Sequence, residues 1–163
     1  MKREVYLILD NIRSRENVGS IFRTADAGGV SKVYLCGITP TPETSSKEQG
    51  TNKIAKTALG AEMYVSWEYY RDTWRLLKKL KVDPPAGGEK LKIIGLEQTK
   101  DSQNIFKFSP EFPLALVLGN EVKGISPKIL KYCDKKISIP MYGKKESLNV
   151  SVAMGVALYQ LLK

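Results

Sequence analysis

The chain has 163 residues, 42% of them hydrophobic and 26% charged, with a net charge of +9 and a pI near 9.5. That length suits one domain with a substantial core, and the basic balance favours a polyanionic partner, nucleic acid before an acidic membrane surface. Histidine is absent and the two cysteines, Cys36 and Cys133, stand far apart, which excludes Ser-His-Asp and Cys-His catalysis, imidazole metal sites and a structural zinc site.

Glu4 to Asp10 (EVYLILD) is a compact apolar run expected to form a buried first strand. A polar loop with Arg13 and Arg15 follows it. From Asn17 the pattern turns helical, with Ile21, Phe22 and Ala25 on one face and Gly28-Gly29 as the stop. Ser31 to Gly37 reads as a second strand, so the first 37 residues spell strand, helix, strand, the signature of a parallel α/β sheet. Residues 38–52 form a long Pro/Thr/Ser/Gly-rich loop. Lys53 to Leu59 is a short helix, Glu62 to Trp67 (EMYVSW) an alternating strand, and Glu68 to Leu80 an amphipathic helix. Val82 to Glu89 is an exposed turn cluster. Lys90 to Leu96 and Phe112 to Leu118 are further strands, the second apolar enough for the centre of the sheet. Ser126-Pro127 opens a helix over Lys128 to Cys133.

The last 29 residues organise the rest. Lys136 to Ile139 is a strand stopped by Pro140, and a polar loop runs from Met141 to Glu146. Ser147 or Asn149 then caps a helix that continues to the C-terminus, apolar nearly all round. It is too short for a membrane span, and its two apolar sides imply one face on its own core and one on a second subunit. No apolar run reaches 18 residues, and Met1-Lys2-Arg3 leads straight into a strand. A cytoplasmic protein with reduced, buried cysteines and no membrane segment is expected.

Four places put functional groups at strand ends, where open α/β sheets bind ligands. Asn17-x-Gly19-x-x-x-Arg23 offers a cap, a close approach and a guanidinium one turn on from Gly19, placed to cover the surface the glycine leaves open. Its plain alternative is a capped helix with a solvated arginine. Leu118-Gly119-Asn120-Glu121-x-x-Gly124 offers backbone amides between glycines and a carboxylate, or an ordinary strand-to-helix turn. Leu96-Glu97-Gln98 alone reads as sheet core. Ile139-Pro140-Met141 with Ser147-Leu148-Asn149 combines a stopped strand and helix caps. No GxGxxG follows the first strand, and GxxxxGK[ST], GxSxG and HExxH are absent.

The order LDNIRSRENVGSIFRTADAGGV, LVLGNEVKGIS, ISIPMYGKKESLNVSVAMGVAL resembles the SpoU (TrmH-type) RNA ribose methyltransferases of the SPOUT superfamily over nearly the whole chain, with ALGAE near Gly60 as the middle segment. The resemblance implies one SPOUT domain over residues 1–163, a mostly parallel sheet flanked by helices, and a C-terminal deep trefoil knot. It implies S-adenosylmethionine as cofactor, with S-adenosylhomocysteine as product and no metal. The cofactor pocket would involve Leu96, Leu118, Gly119, Ile139, Ser147, Leu148 and Val150. Arg23, Asn17, Glu121, Ser147 and Asn149 would be catalytic. It further implies a homodimer with the site completed across the interface. A guanidinium stays protonated in ordinary settings, so Arg23 suits gripping a phosphate and stabilising alkoxide charge better than acting as a base. Arg13, Arg15, Lys47, Lys53, Lys56, Lys144 and Lys145 are the candidate RNA contacts, with tRNA favoured over rRNA. The alternatives are a non-catalytic RNA-binding module of the same fold and a base-directed SPOUT methyltransferase.

Overall fold

The computed structural model describes residues 3–43, 52–85 and 87–163. Among these residues seven strands form one sheet: β1 (Val5–Asp10), β2 (Lys32–Cys36), β3 (Trp67–Tyr70), β4 (Lys92–Leu96), β5 (Gln103–Asn104), β6 (Leu114–Leu118) and β7 (Lys135–Ser138). Their order is β3-β2-β1-β6-β4-β7-β5, and every pairing between them is parallel. The described α-helices are α1 (Arg15–Ala27), α2 (Lys53–Ala58), α3 (Thr73–Val82), α4 (Pro127–Leu130) and α5 (Val150–Leu162). None of them is long and apolar enough to cross a membrane.

The central strands read as unbroken apolar runs because both faces of a parallel sheet are covered. In β1, Leu7 and Leu9 join the core beneath α1, α2 and α5, whereas Tyr6 and Ile8 join the opposite core beneath α3 and α4. Leu7 sits opposite Val33 on one side and Leu116 on the other, so register and alternation together fill both layers. Complete burial of each such side chain contributes about 1.5–3 kcal/mol, which makes the β1–β6 centre the rigid base from which the loops project.

Several local expectations are corrected. Helix α1 begins at Arg15, not Asn17, because Ser14 is its N-cap: the Ser14 Oγ accepts the Asn17 amide at 3.1 Å. The segment expected as a strand over 62–67 instead coils into a 3-10 turn, Ala61–Met63, after left-handed Leu59 and Gly60. Ala61 and Val65 are buried while Met63 and Tyr64 are exposed, so the true period is four residues, not two. The strand lies one step later, at Trp67–Tyr70, where it pairs with Val33–Cys36, and the following helix consequently starts at Thr73. The last strand ends at Ser138, one residue earlier than expected, and α4 stops at Leu130.

Candidate active site

The carboxyl ends of β4 and β6 meet at a hollow of about 360 Å³. It is lined by Asn17 from α1, Leu96 from β4, Leu118, Gly119 and Glu121 after β6, and Ser147 to Val150 at the start of α5. A second hollow of about 150 Å³ continues it along Leu96, Ile139, Met141, Ser147 and Leu148. Chain segments separated by more than a hundred residues thus share one site, and each is fixed by a specific bond.

Glu121 is the principal tie. Its carboxylate accepts the backbone amides of Arg13 at 3.1 Å and Ser14 at 3.0 Å, clamping the β1–α1 loop to the β6 loop. Burial alone would raise the Glu121 carboxyl, but donors from Ser14, Arg13, its own amide and the Asn17 side chain outweigh it and hold the group below its ordinary value. Asn149 extends the chain: its Nδ2 donates to Asn17 Oδ1 at 3.1 Å, and its Oδ1 accepts the Ser151 amide at 2.9 Å as the N-cap of α5. Asn149 is thus bonded directly to Asn17, and Glu121 stands beside Asn17, whose side chain helps to lower its carboxyl, so the three line the mouth together. Because Ser14 does the capping of α1, the Asn17 side chain is released from that task to face Asn149.

Two glycines act through the backbone. A Cβ at Gly119 would fall 2.7 Å from the Gly124 carbonyl oxygen and closer still to its carbon, so the β6 loop folds tightly back on itself there. A Cβ at Gly19 would collide with Thr57 Oγ1 and the Ile54 carbonyl. The surface expected to lie open at Gly19 is thus occupied by α2, and Arg23 does not cover it.

Of the expected catalytic residues, Asn17, Glu121, Ser147 and Asn149 line the hollow and Arg23 does not. Arg23 is exposed on α1, six residues beyond Asn17. Six helical residues turn about 240° and rise about 9 Å, which aims it away from its own site. All the expected cofactor residues lie on one or both hollows. Among the expected RNA contacts, Arg13, Lys53, Lys56, Lys144 and Lys145 are exposed and Arg15 is the first residue of α1. Lys47 lies outside the described residues.

Sequence reasoning undervalued Glu97 and Asn120. Glu97 Oε2 accepts the Ile125 amide at 2.8 Å across the space beneath Gly124, a glycine with φ of +67°. Asn120 donates from Nδ2 to the Asn11 carbonyl at 2.8 Å while its Oδ1 accepts the Val122 and Lys123 amides. A glycine and an Asx residue bracketing a short loop after an apolar strand was the available signal.

Residues 4–159 match the SpoU rRNA Methylase family. The chain belongs to this family. It is 32% identical over 160 residues to the tRNA (guanosine(18)-2'-O)-methyltransferase of Aquifex aeolicus, covering 98% of this chain and 69% of that protein. It is 33% identical to the 23S rRNA (guanosine-2'-O-)-methyltransferase RlmB of Haemophilus influenzae, covering 96% of this chain but 58% of the relative. The SpoU methyltransferase AviRb from Streptomyces viridochromogenes superposes with a TM-score of 0.85 at 25% identity, over 99% of this chain and 60% of that one. AviRb has also been solved in complex with the cofactor AdoMet. The chain thus spans well short of the full length of these SpoU relatives.

Proposed function

We propose that this SpoU-family chain is an S-adenosylmethionine-dependent RNA 2'-O-ribose methyltransferase that acts as a homodimer. The observation that carries the reading is the row Asn149–Asn17–Glu121 closing the mouth of a hollow walled by Leu96, Leu118 and Leu148. The two adjoining hollows offer apolar side chains for a flat heterocycle beside polar groups open to solvent, a layout that suits a cofactor pocket. Leu96, Ile139 and Leu148 would flank an adenine, and backbone groups near Gly119 and Ile139 would read its edge.

The cofactor supplies an electrophilic methyl group on a sulfonium. The chain's own task is to place a ribose hydroxyl in line with that methyl and to stabilise the charge that develops on the attacking oxygen. Asn17 and Asn149 lock each other's amide orientation, so both reach the substrate already ordered. Arg23, turned away from its own hollow, would serve the hollow of a second copy, holding the adjacent phosphate and the nascent alkoxide while the phosphate or a water takes the proton.

A dimer face is available for this exchange. Val152 at 52%, Val156 at 37% and Tyr159 at 54% exposure leave one side of α5 apolar and uncovered beside α1. Packing two such faces together would bury them and bring α1 of each copy towards the other's site. The C-terminal trefoil knot belongs to the same reading. Its support is that β6 and β7 lie on opposite sides of β4, while the segments around Glu97, around Gly119 and around Ser147 meet at one place.

The test is transfer of labelled methyl from S-adenosylmethionine into unmodified bulk tRNA and rRNA, with digestion to nucleosides and Arg23→Ala alongside. A 2'-O-methylated nucleoside that vanishes in the variant is the expected result, with tRNA the better pool. A methylated base would instead favour base-directed chemistry. Cofactor binding and incorporation both absent would leave a non-catalytic RNA-binding module.

A further inference from the structure

Another hollow is larger than the one just discussed. It has a volume of about 590 Å³ and opens beyond the carboxyl ends of β1, β2 and β3, on the α3 side of the sheet. Only the loop carrying Asn120, Val122 and Gly124 separates it from the proposed methyl-transfer site, since those residues line both. Arg13, Arg71 and Lys123 line it, all exposed and none in an ion pair among the described residues. Trp74 forms part of the wall, with Lys128 Nζ 4.7 Å and Arg75 Cζ 5.2 Å from its ring centroid. Asp72 also lines the hollow but is paired with Arg75 at 3.5 Å, so positive charge predominates at the mouth.

The floor is of opposite character. Asp10, at the end of β1, lines the hollow with 4% exposure, and its Oδ1 accepts the Thr73 hydroxyl at 2.5 Å. That is its only side-chain hydrogen bond among the described residues, so its second oxygen is open to water or to a ligand in the hollow. Burial raises the Asp10 carboxyl above its ordinary value and the Thr73 bond lowers it less. An N–H brought by a ligand would take the place of water at that second oxygen, close to the buried end of β1.

We infer that this hollow holds a second nucleotide of the RNA, next to the one methylated, with its phosphates on Arg13, Arg71 and Lys123 and an exocyclic amino group of its base donating to Asp10. The inference rests on the proposed RNA substrate. A base carrying an amino group, adenine, cytosine or guanine, fits this floor; uracil presents oxygens there and does not. The volume lies within the range of nucleotide-sized ligand sites. The β6 loop lines both hollows through Asn120, Val122 and Gly124, so neighbouring nucleotides of one strand can occupy them.

The test compares wild type with Arg71→Ala/Lys123→Ala and with a control, Lys78→Ala/Lys90→Ala, which removes two exposed charges elsewhere. Binding of bulk tRNA and of short A-, C- and U-oligonucleotides is titrated at several salt concentrations, alongside methyl transfer and S-adenosylmethionine affinity. The expected result is RNA binding and KM weakened about tenfold or more in the first variant only, with a salt slope shallower by about 2. Cofactor affinity should not change. Wild type should prefer A and C over U by about fivefold, the worth of one hydrogen bond, and Asp10→Asn should remove that preference. Equal weakening by the control pair, or an unchanged first variant in an active enzyme, overturns the site and leaves the methyltransferase reading intact. Weakening confined to the first variant in a chain that transfers no methyl keeps the site and sinks that reading. Tight binding of free AMP with RNA binding untouched by the first variant assigns the hollow to a free nucleotide and overturns the inference.

Discussion

Replacing Glu121 by Gln probes the central tie of the site, because the substitution keeps size and shape while removing the charge. The carboxylate accepts two backbone amides, from Arg13 at 3.1 Å and Ser14 at 3.0 Å. Charge-assisted bonds of this kind contribute about 1.5–3 kcal/mol when shielded from water, but Glu121 is exposed, so roughly 1–2 kcal/mol for the pair is the discounted figure. For a chain of this length that corresponds to a fall in Tm of about 2–8 °C. The sign with pH follows from the direction of the shift. The folded carboxyl lies below its ordinary value of 4.5, so its contribution is complete above that pH and is lost as pH falls through the folded value. Melting wild type and Glu121→Gln from pH 4 to 8 should therefore give a gap that is constant near neutrality and closes below about 4.5. Methyl transfer should drop by roughly 10- to 100-fold, since glutamine leaves one of the Arg13 and Ser14 amides without an acceptor and loosens the loop beside Asn17. Equal melting temperatures at pH 7, or a gap that persists unchanged at pH 4, would refute the clamp.

Gly19→Ala should destabilise the chain by about 2 kcal/mol or more despite the gain of about 1 kcal/mol that alanine brings to a helix, because its Cβ would meet α2; a raised Tm in thermal melts would count against the α1–α2 contact. Val156→Glu on the exposed side of α5 should give a monomer by light scattering that keeps S-adenosylmethionine binding but loses most methyl transfer; a stable dimer would move the interface elsewhere. Mixing inactive Arg23→Ala with inactive Asn149→Ala should restore roughly a quarter of wild-type activity, since half the dimers would be mixed and each would own one complete site. No recovery after subunit exchange would mean that Arg23 serves its own chain.

The apolar runs at 4–10 and 112–118 were legible as buried strands, the second as a central one, because burial on both faces leaves no polar alternation to confuse the pattern. The segment 61–65 was not, since five residues can satisfy a period of two and a turn of helix alike, and only the docking of Ala61 and Val65 beneath α1 decides between them. At the site, residue identity was more legible than residue task. Asn17 and Ser14 are both good caps, and nothing local says that the serine takes the helix and frees the asparagine. Gly19 announced a close approach without naming what approaches. Asp10 gave no signal at all: an acidic residue ending an apolar strand looks like a solvated strand end, and its burial depends on Thr73, 63 residues away.

The division of labour around the β6 loop gives these pieces one physical logic. Glu121 binds backward to the α1 loop, Asn120 binds the Asn11 carbonyl, and Glu97 holds Ile125 from the neighbouring strand, so one short loop is fastened on three sides. A loop so fastened costs little further entropy when a ligand orders its surroundings, which is what a reaction dependent on alignment requires. Arg23 is the exception, exposed and outside both hollows of its own chain. If that residue is supplied by a second copy, an isolated subunit would hold cofactor in a finished pocket yet lack the group that stabilises the attacking oxygen. Assembly would then act on turnover and leave cofactor affinity alone, which is why the two readouts must be measured separately in every interface variant.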